Sequence, residues 1–180
     1  MGDLSGMSIR AGNSTTAVRD IPRSWEDGLL ALNNAHAVEL SLLDGAGLRT
    51  LLDGAFSARC IGALDAVLIA LDERHATYAS PNYLWFRARY GRFVYVDRVV
   101  VAEAMRGKGL ARRLYADLIE RALAAGHDLL VCEVNSDPPN PASDTFHAAL
   151  GFKEVGAAAI HGGVKTVRYL ALRLGNVTSG

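Results

Sequence analysis

Val99 to Leu123 reads VVVAEAMRGKGLARRLYADLIERAL, and its three parts decide the fold. Val99, Val100 and Val101 are β-branched and close a strand. RGKG is a glycine-punctuated turn. Leu110, Leu114, Leu118, Ala122 and Leu123 then recur at helical spacing, so the turn opens into an amphipathic helix. The first amides of a helix lack partners within it, and the helix dipole adds partial positive charge there. Phosphate is therefore the natural ligand of such a turn. Arg106, Lys108, Arg112 and Arg113 add charge of the right sign.

Working outward, Leu129 to Val134 (LLVCEV) reads as a buried strand, so strand, helix and strand form a right-handed crossover between parallel neighbours. Period two puts Asp97 on one face with Val99 and Val101, Arg98 on the other, and Glu133 together with Asn135. Beyond the SDPPNP loop, Asn140 suits an N-cap, Pro141 the first helical position and Gly151 a stop, giving a helix from Pro141 to Leu150. Phe152 to Val155 and Val164 to Leu174 read as closing strands. Upstream, Val18 to Ile21 reads as a strand, Ser24 as the N-cap of a helix from Trp25 towards Ala37, and Leu48 to Leu52 as a second helical piece. Ser57 to Ile61 and Ala66 to Leu71 make a hairpin around Gly62. Residues 72–93, broken by Pro81 and Gly91, read as a long aromatic loop, either a substrate wall or a cover for a sheet face or dimer contact.

The 180 residues suit one domain, and half of them are hydrophobic, enough for a core without a metal or disulfide framework. Nineteen basic residues balance nineteen acidic ones, which excludes a polycation for nucleic acid or anionic membrane; any anion site is local. Cys60 and Cys132 form no Cys-x-x-Cys pattern and read as free buried thiols. The N-terminus has no apolar leader, and no run is long enough to cross a bilayer. The expectation is a cytoplasmic protein with no nucleic-acid or membrane partner. His36, His75, His127 and His161 lack ligand spacing, so no metal is expected.

Spacing then discriminates among phosphate turns. The triphosphate loop needs Ser or Thr after its Lys, and Gly109 stands there. The dinucleotide fingerprint needs a third glycine where Arg112 stands. What remains, Arg106-x-x-Gly109-x-Ala111, resembles the coenzyme A loop, [Q/R]-x-x-G-x-[G/A], of the GNAT (GCN5-related N-acetyltransferase) family. Downstream, NPASDTFHAALGF resembles a second segment of that family, with Asn140, Ser143, His147 and Gly151-Phe152 where the family usually has Asn, Ala, Tyr and Gly-Phe. The resemblance covers about residues 94–155. An ordinary strand-to-helix turn remains the alternative reading of Gly107 and Gly109.

The resemblance implies an α/β (α+β) fold: a mixed, mostly antiparallel sheet with a splayed parallel pair and flanking helices. Residues 18–175 would form this single domain, with a flexible N-terminal tail at 1–17 and a C-terminal tail at 176–180. It also implies acetyl-CoA as co-substrate and an amine acceptor; the balanced charge and the aromatic loop favour a small molecule or amino acid derivative in that place, and a homodimer is a further expectation. Arg106 and the amides of Gly107, Lys108, Gly109, Leu110, Ala111 and Arg112 would hold the pyrophosphate. Strand edges at Val99 and Val101, with Asn140, would meet the pantetheine arm.

Acyl transfer to an amine needs a base for the ammonium proton, and Glu133 is the first candidate: the resemblance implies a carboxylate on this strand, and one inside LLVCEV is costly to bury without purpose. A Glu paired with Arg or facing solvent is the competing reading. Asp97 is the reserve, with a salt bridge as its competing role. The usual thiolate-protonating Tyr is replaced by His147, which can donate a proton or serve packing. No activated Ser or Cys constellation points to a covalent intermediate. A non-catalytic acyl-CoA-binding module of the same fold is the alternative function.

Overall fold

The computed structural model describes residues 17–175. The expected tails lie outside the described residues except for Ala17. Seven strands form one sheet: β1 (Val18–Asp20), β2 (Ser57–Ile61), β3 (Ala66–Asp72), β4 (Val94–Val101), β5 (Leu129–Asp137), β6 (Lys153–Ile160) and β7 (Lys165–Arg173). Their order is β1-β2-β3-β4-β5-β7-β6. All neighbours run antiparallel except β4 and β5. That parallel pair is joined only at Val94↔Leu130 and Tyr95↔Val131, and beyond Tyr95 the two strands part. The expected splay is present.

Among the described residues, six α-helices flank the sheet: α1 (Glu26–Ala35), α2 (Ala37–Leu40), α3 (Gly45–Asp53), α4 (Pro81–Arg87), α5 (Leu110–Ala124) and α6 (Pro141–Leu150). On one face Leu114, Tyr115 and Leu118 of α5 bury against Leu68, Val94 and Val96. Burying each such leucine contributes about 1.5–3 kcal/mol. The polar side of α5 carries an Asp117–Arg121 ion pair at 3.0 Å. On the opposite face α1, α3 and α4 bury Leu29, Leu48, Leu51, Tyr83 and Phe86 against Tyr95 and Tyr169. Cys60 and Cys132 are buried and free.

Three local expectations are corrected. Residues 72–93 are not one loop, because Pro81 opens α4 instead of breaking the chain; the first helical position needs no N–H. Half of its six aromatics, Tyr83, Phe86 and Phe93, are then buried in the core. Ser24 does not cap α1. It lies in a tight turn from Arg23 to Trp25 closed by Trp25 N–H on Pro22 O, and Trp25 precedes the helix. Finally, a bulge resets the alternation of β4: Ile69 pairs Arg98 and Ala70 pairs Val96, leaving Asp97 without a β3 partner. Val94, Val96, Val99 and Val101 therefore face α5, while Asp97 and Arg98 bond to groups on the other side.

Candidate active site

Gly107 and Gly109 hold φ of 75° and 74°, the left-handed region that side chains disfavour, and a Cβ at either would meet nothing within 4 Å. Gly109 precedes α5, so the helix begins directly on the turn. Among the described residues, the amides from Gly107 to Arg112 have no backbone acceptor. The turn lies along a cleft of about 520 Å³ between β4 and α6. Val99, Val101, Arg106, Gly107, Gly109, Leu110, Ala111, Arg112 and Asn140 all line it. Lys108 does not; its Nζ lies 3.3 Å from Met105 Sδ. Asn140 caps α6 by accepting the Ser143 N–H at 3.2 Å, as its sequence position predicted.

Two further cavities continue from the cleft. A small one of about 90 Å³ sits in the splay between β4 and β5, and one of about 300 Å³ opens on the far face. His147 and Asn140 line both the cleft and the small cavity, whereas Asp97, Arg98, Glu133 and Asn135 line both the small and the far cavity. Glu133 thus stands where the splay meets the far cavity.

Its carboxyl group is held from one side only. Oε1 accepts from Asn82 Nδ2 at 2.9 Å and Tyr95 Oη at 3.0 Å, and Asn82 is itself fixed by Tyr169 Oη at 3.1 Å. Oε2 is buried without a hydrogen-bond partner. Burial first, then the nearby Asp97 charge, pushes the Glu133 carboxyl up to about 7, while the two donors pull the other way. A carboxylate with one free oxygen and a proton affinity near neutrality can accept a proton from a molecule in the cavity.

Asp97 lies close by but is committed. Arg98 Nε donates to it at 2.6 Å and Tyr78 Oη donates to its other oxygen, with both ion-pair side chains almost fully buried. Arg98 also reaches Asn33 of α1, which ties the pair to the helical layer. The bulge is what lets neighbouring residues meet in this way.

His147 is buried, with both ring nitrogens occupied. Nδ1 lies 2.8 Å from Ser143 O, and Nε2 lies 2.7 Å from Tyr115 Oη. That set fits a neutral ring whose Nδ1–H donates to the carbonyl and whose Nε2 accepts the phenol. Burial lowers the proton affinity of the imidazole in agreement. A hydroxyl thus stands beside the position where the sequence has lost one, supplied by Tyr115 of α5.

Sequence reasoning missed Asn82, Tyr95 and Tyr115. Tyr95 was recoverable from the parallel register, because Tyr95↔Val131 puts it on the face of Glu133 two residues on. Asn82 carried no local signal. Away from the cleft, Asp72, Glu73 and His127 bring potential ligand atoms within 4.8 Å of one another. Arg74 occupies Asp72, and Glu73 accepts the Phe93 N–H at 3.3 Å. Among the described residues, no helix is long and apolar enough to cross a membrane.

A seven-stranded mixed sheet with one splayed parallel pair and flanking helices is the GNAT-like fold. Residues 50–152 match the acetyltransferase (GNAT) family, and the chain belongs to that family. Solved structures agree in fold. The ribosomal-protein-S18-alanine N-acetyltransferase from Escherichia coli superposes with a TM-score of 0.66 at 13% identity, covering 92% of this chain and 97% of its own. Arabidopsis thaliana NAA60, solved in complex with acetyl-CoA, gives 0.69 at 14% identity over 88% and 98%. The ribosomal-protein-alanine N-acetyltransferase from Brucella melitensis gives 0.64 at 20% identity over 88% and 99%. No curated protein matches the chain by sequence.

Proposed function

We propose that the protein is an acetyl-CoA-dependent N-acetyltransferase that passes the acetyl group directly to an amine. The observation that carries this reading is Glu133, poised between the splay and the far cavity with Oε2 free.

The residues present fit a coenzyme A thioester. The cradle from Gly107 to Arg112 suits the pyrophosphate, and the exposed Arg106 and Arg112 suit its charge. β4 beyond Tyr95 has no β5 partner, so its edge near Val99 and Val101 suits the pantetheine amides, with Asn140 opposite. The acceptor enters from the far cavity as an ammonium ion. Glu133 takes one proton from nitrogen, the freed lone pair attacks the thioester carbon, and as the carbon–sulfur bond breaks the nitrogen gives up its second proton to the departing thiolate, leaving a neutral amide and a free thiol. A β4 amide in the Val99–Val101 stretch would polarise the carbonyl oxygen.

The departing thiolate is a stable leaving group. His147 lines the thiol side of the splay, and its proton donation would break the bond from Nδ1 to Ser143 O or draw on the Tyr115 phenol. We therefore assign His147 the smaller kinetic share and Glu133 the larger.

The test is a panel of primary amines with acetyl-CoA, read by free thiol release, alongside calorimetry of acetyl-CoA binding. Amine-dependent thiol release supports transfer. Tight acetyl-CoA binding with no thiol release from any amine would establish a binding module instead.

A further inference from the structure

Three polar side chains line both the cleft and the small cavity in the splay: Asn140, Ser143 and His147. A thioester held in the cleft must pass them to meet Glu133, which lines the small cavity. Asn140 spends Oδ1 on the cap of α6. His147 has Nε2 on Tyr115 Oη and Nδ1 on Ser143 O, so neither ring nitrogen is left over. The third side chain, Ser143, carries a hydroxyl whose polarity its neighbours decide.

A carbonyl oxygen only accepts, so the 2.8 Å contact between Ser143 O and His147 Nδ1 requires a hydrogen on Nδ1. Ser143 Oγ also lies on Nδ1, at 3.2 Å, and there it can only accept. A helical serine commonly spends its own hydrogen on a carbonyl one turn back. Ser143 does not: among the described residues its hydroxyl meets His147 Nδ1 alone, and its hydrogen is unspent. The chain therefore runs one way, from Tyr115 O–H to Nε2 and from Nδ1–H to Ser143 Oγ, and it ends on an O–H donor of a residue that lines the passage. Each bond in such a chain polarises the next.

We propose that Ser143 is a catalytic residue that donates a hydrogen bond to the sulfur of the coenzyme A thioester as negative charge builds there, with His147 and Tyr115 as positioning residues behind it. This rests on reading the cleft as the coenzyme A site. No proton leaves the hydroxyl. The breaking carbon–sulfur bond gives its electron pair to sulfur, and the acceptor nitrogen supplies the proton that makes the thiol.

The experiment titrates the thiol of bound coenzyme A by its thiolate absorbance in the ultraviolet, read as the difference between bound and free protein so that the protein's own thiols and phenols cancel. Ser143→Ala removes a hydrogen bond to a charged group, which moves the ionisation about tenfold towards the thiol. Ser143→Thr keeps a hydroxyl and stays with the wild type. His147→Phe moves it in the same direction as Ser143→Ala, and combining the two adds nothing, because His147 acts through Ser143. In thiol-release kinetics Ser143→Ala lowers kcat severalfold and leaves acetyl-CoA affinity unchanged. Equal ionisation in the wild type and Ser143→Ala, or an equal loss in the Thr and Ala variants, would overturn the proposal. The titration needs no acceptor, so it decides the role of Ser143 even where no amine is turned over. Absence of coenzyme A binding by calorimetry would overturn both this proposal and the transferase reading.

Discussion

Asn82 Nδ2, on the first turn of α4, donates to Glu133 Oε1 in β5 at 2.9 Å. The bond fixes one carboxyl oxygen and leaves the other for a proton from the cavity. It also favours the ionised form against the stronger effect of burial. Removing the donor therefore moves the base in a known direction. Asn82→Ala should push the Glu133 carboxyl further up from about 7, so that kcat/KM falls severalfold at pH 7 and recovers at higher pH. A uniform loss at every pH would show that Asn82 acts by holding structure alone.

Glu133→Gln keeps the size of the side chain and removes the proposed base. Turnover should drop about a hundredfold or more at neutral pH, within the range of general-base contributions, with acetyl-CoA affinity nearly unchanged. The wild-type rise in rate through about pH 7 should vanish with it.

The same carboxyl group governs a stability effect. Its folded value of about 7 lies above the ordinary 4.5, so between those pH values the folded protein holds a proton that the unfolded chain has lost. Its contribution therefore falls as pH rises across that window, by on the order of 3 kcal/mol in all. Glu133→Gln escapes this penalty. Chemical denaturation should show the variant gaining on the wild type from pH 5 to pH 8, and a constant difference would refute the buried-acid account.

Gly109→Val tests the cradle. The valine would have to adopt φ near 74°, costing about 1–2 kcal/mol in unfolding free energy and disturbing the amides that open α5. Acetyl-CoA affinity measured by calorimetry should weaken at least about tenfold. Thermal unfolding separates that loss from collapse of the fold.

Much of this site was legible because its chemistry is local. The turn needs consecutive amides and two residues at positive φ, and RGKGLA contains both within six positions. The splay followed from resemblance, and the register Val94↔Leu130 and Tyr95↔Val131 gives it physical form. Pairs made by tertiary packing were not legible. Asn82 meets Glu133 only because Pro81 starts a helix, and Pro81 looks like a breaker when no neighbouring structure is known. The bulge at Asp97 inverted the period-two assignment, since one unpaired residue exchanges the faces of everything beyond it. Tyr115 reads as helix packing from sequence, and it is fully buried; its second function, a hydroxyl on His147, depends on how α5 and α6 meet.

His147→Phe should remove the acceptor of the Tyr115 hydroxyl and leave it buried and unpaired, at a cost of about 1–3 kcal/mol. Adding Tyr115→Phe should restore part of that stability. If His147 supplies the thiolate proton, the single variant also lowers turnover about tenfold without a matching loss of acetyl-CoA affinity. Unchanged turnover would leave it a packing residue.

Asp97→Asn gives the opposite shift to Asn82→Ala, and the two together test the electrostatic account. Asp97 raises the proton affinity of Glu133, so neutralising it should move the rise in kcat/KM to lower pH. The variant also strips Arg98 of its buried partner, which costs about 3–5 kcal/mol. Asp97→Asn/Arg98→Met removes the orphaned charge and should recover much of the stability while keeping the acid-side shift. The pH profile of that double variant, set beside Asn82→Ala, is the measurement. If both move the profile in the same direction, neighbouring charge does not set the proton affinity of Glu133, and the base must be sought elsewhere in the splay.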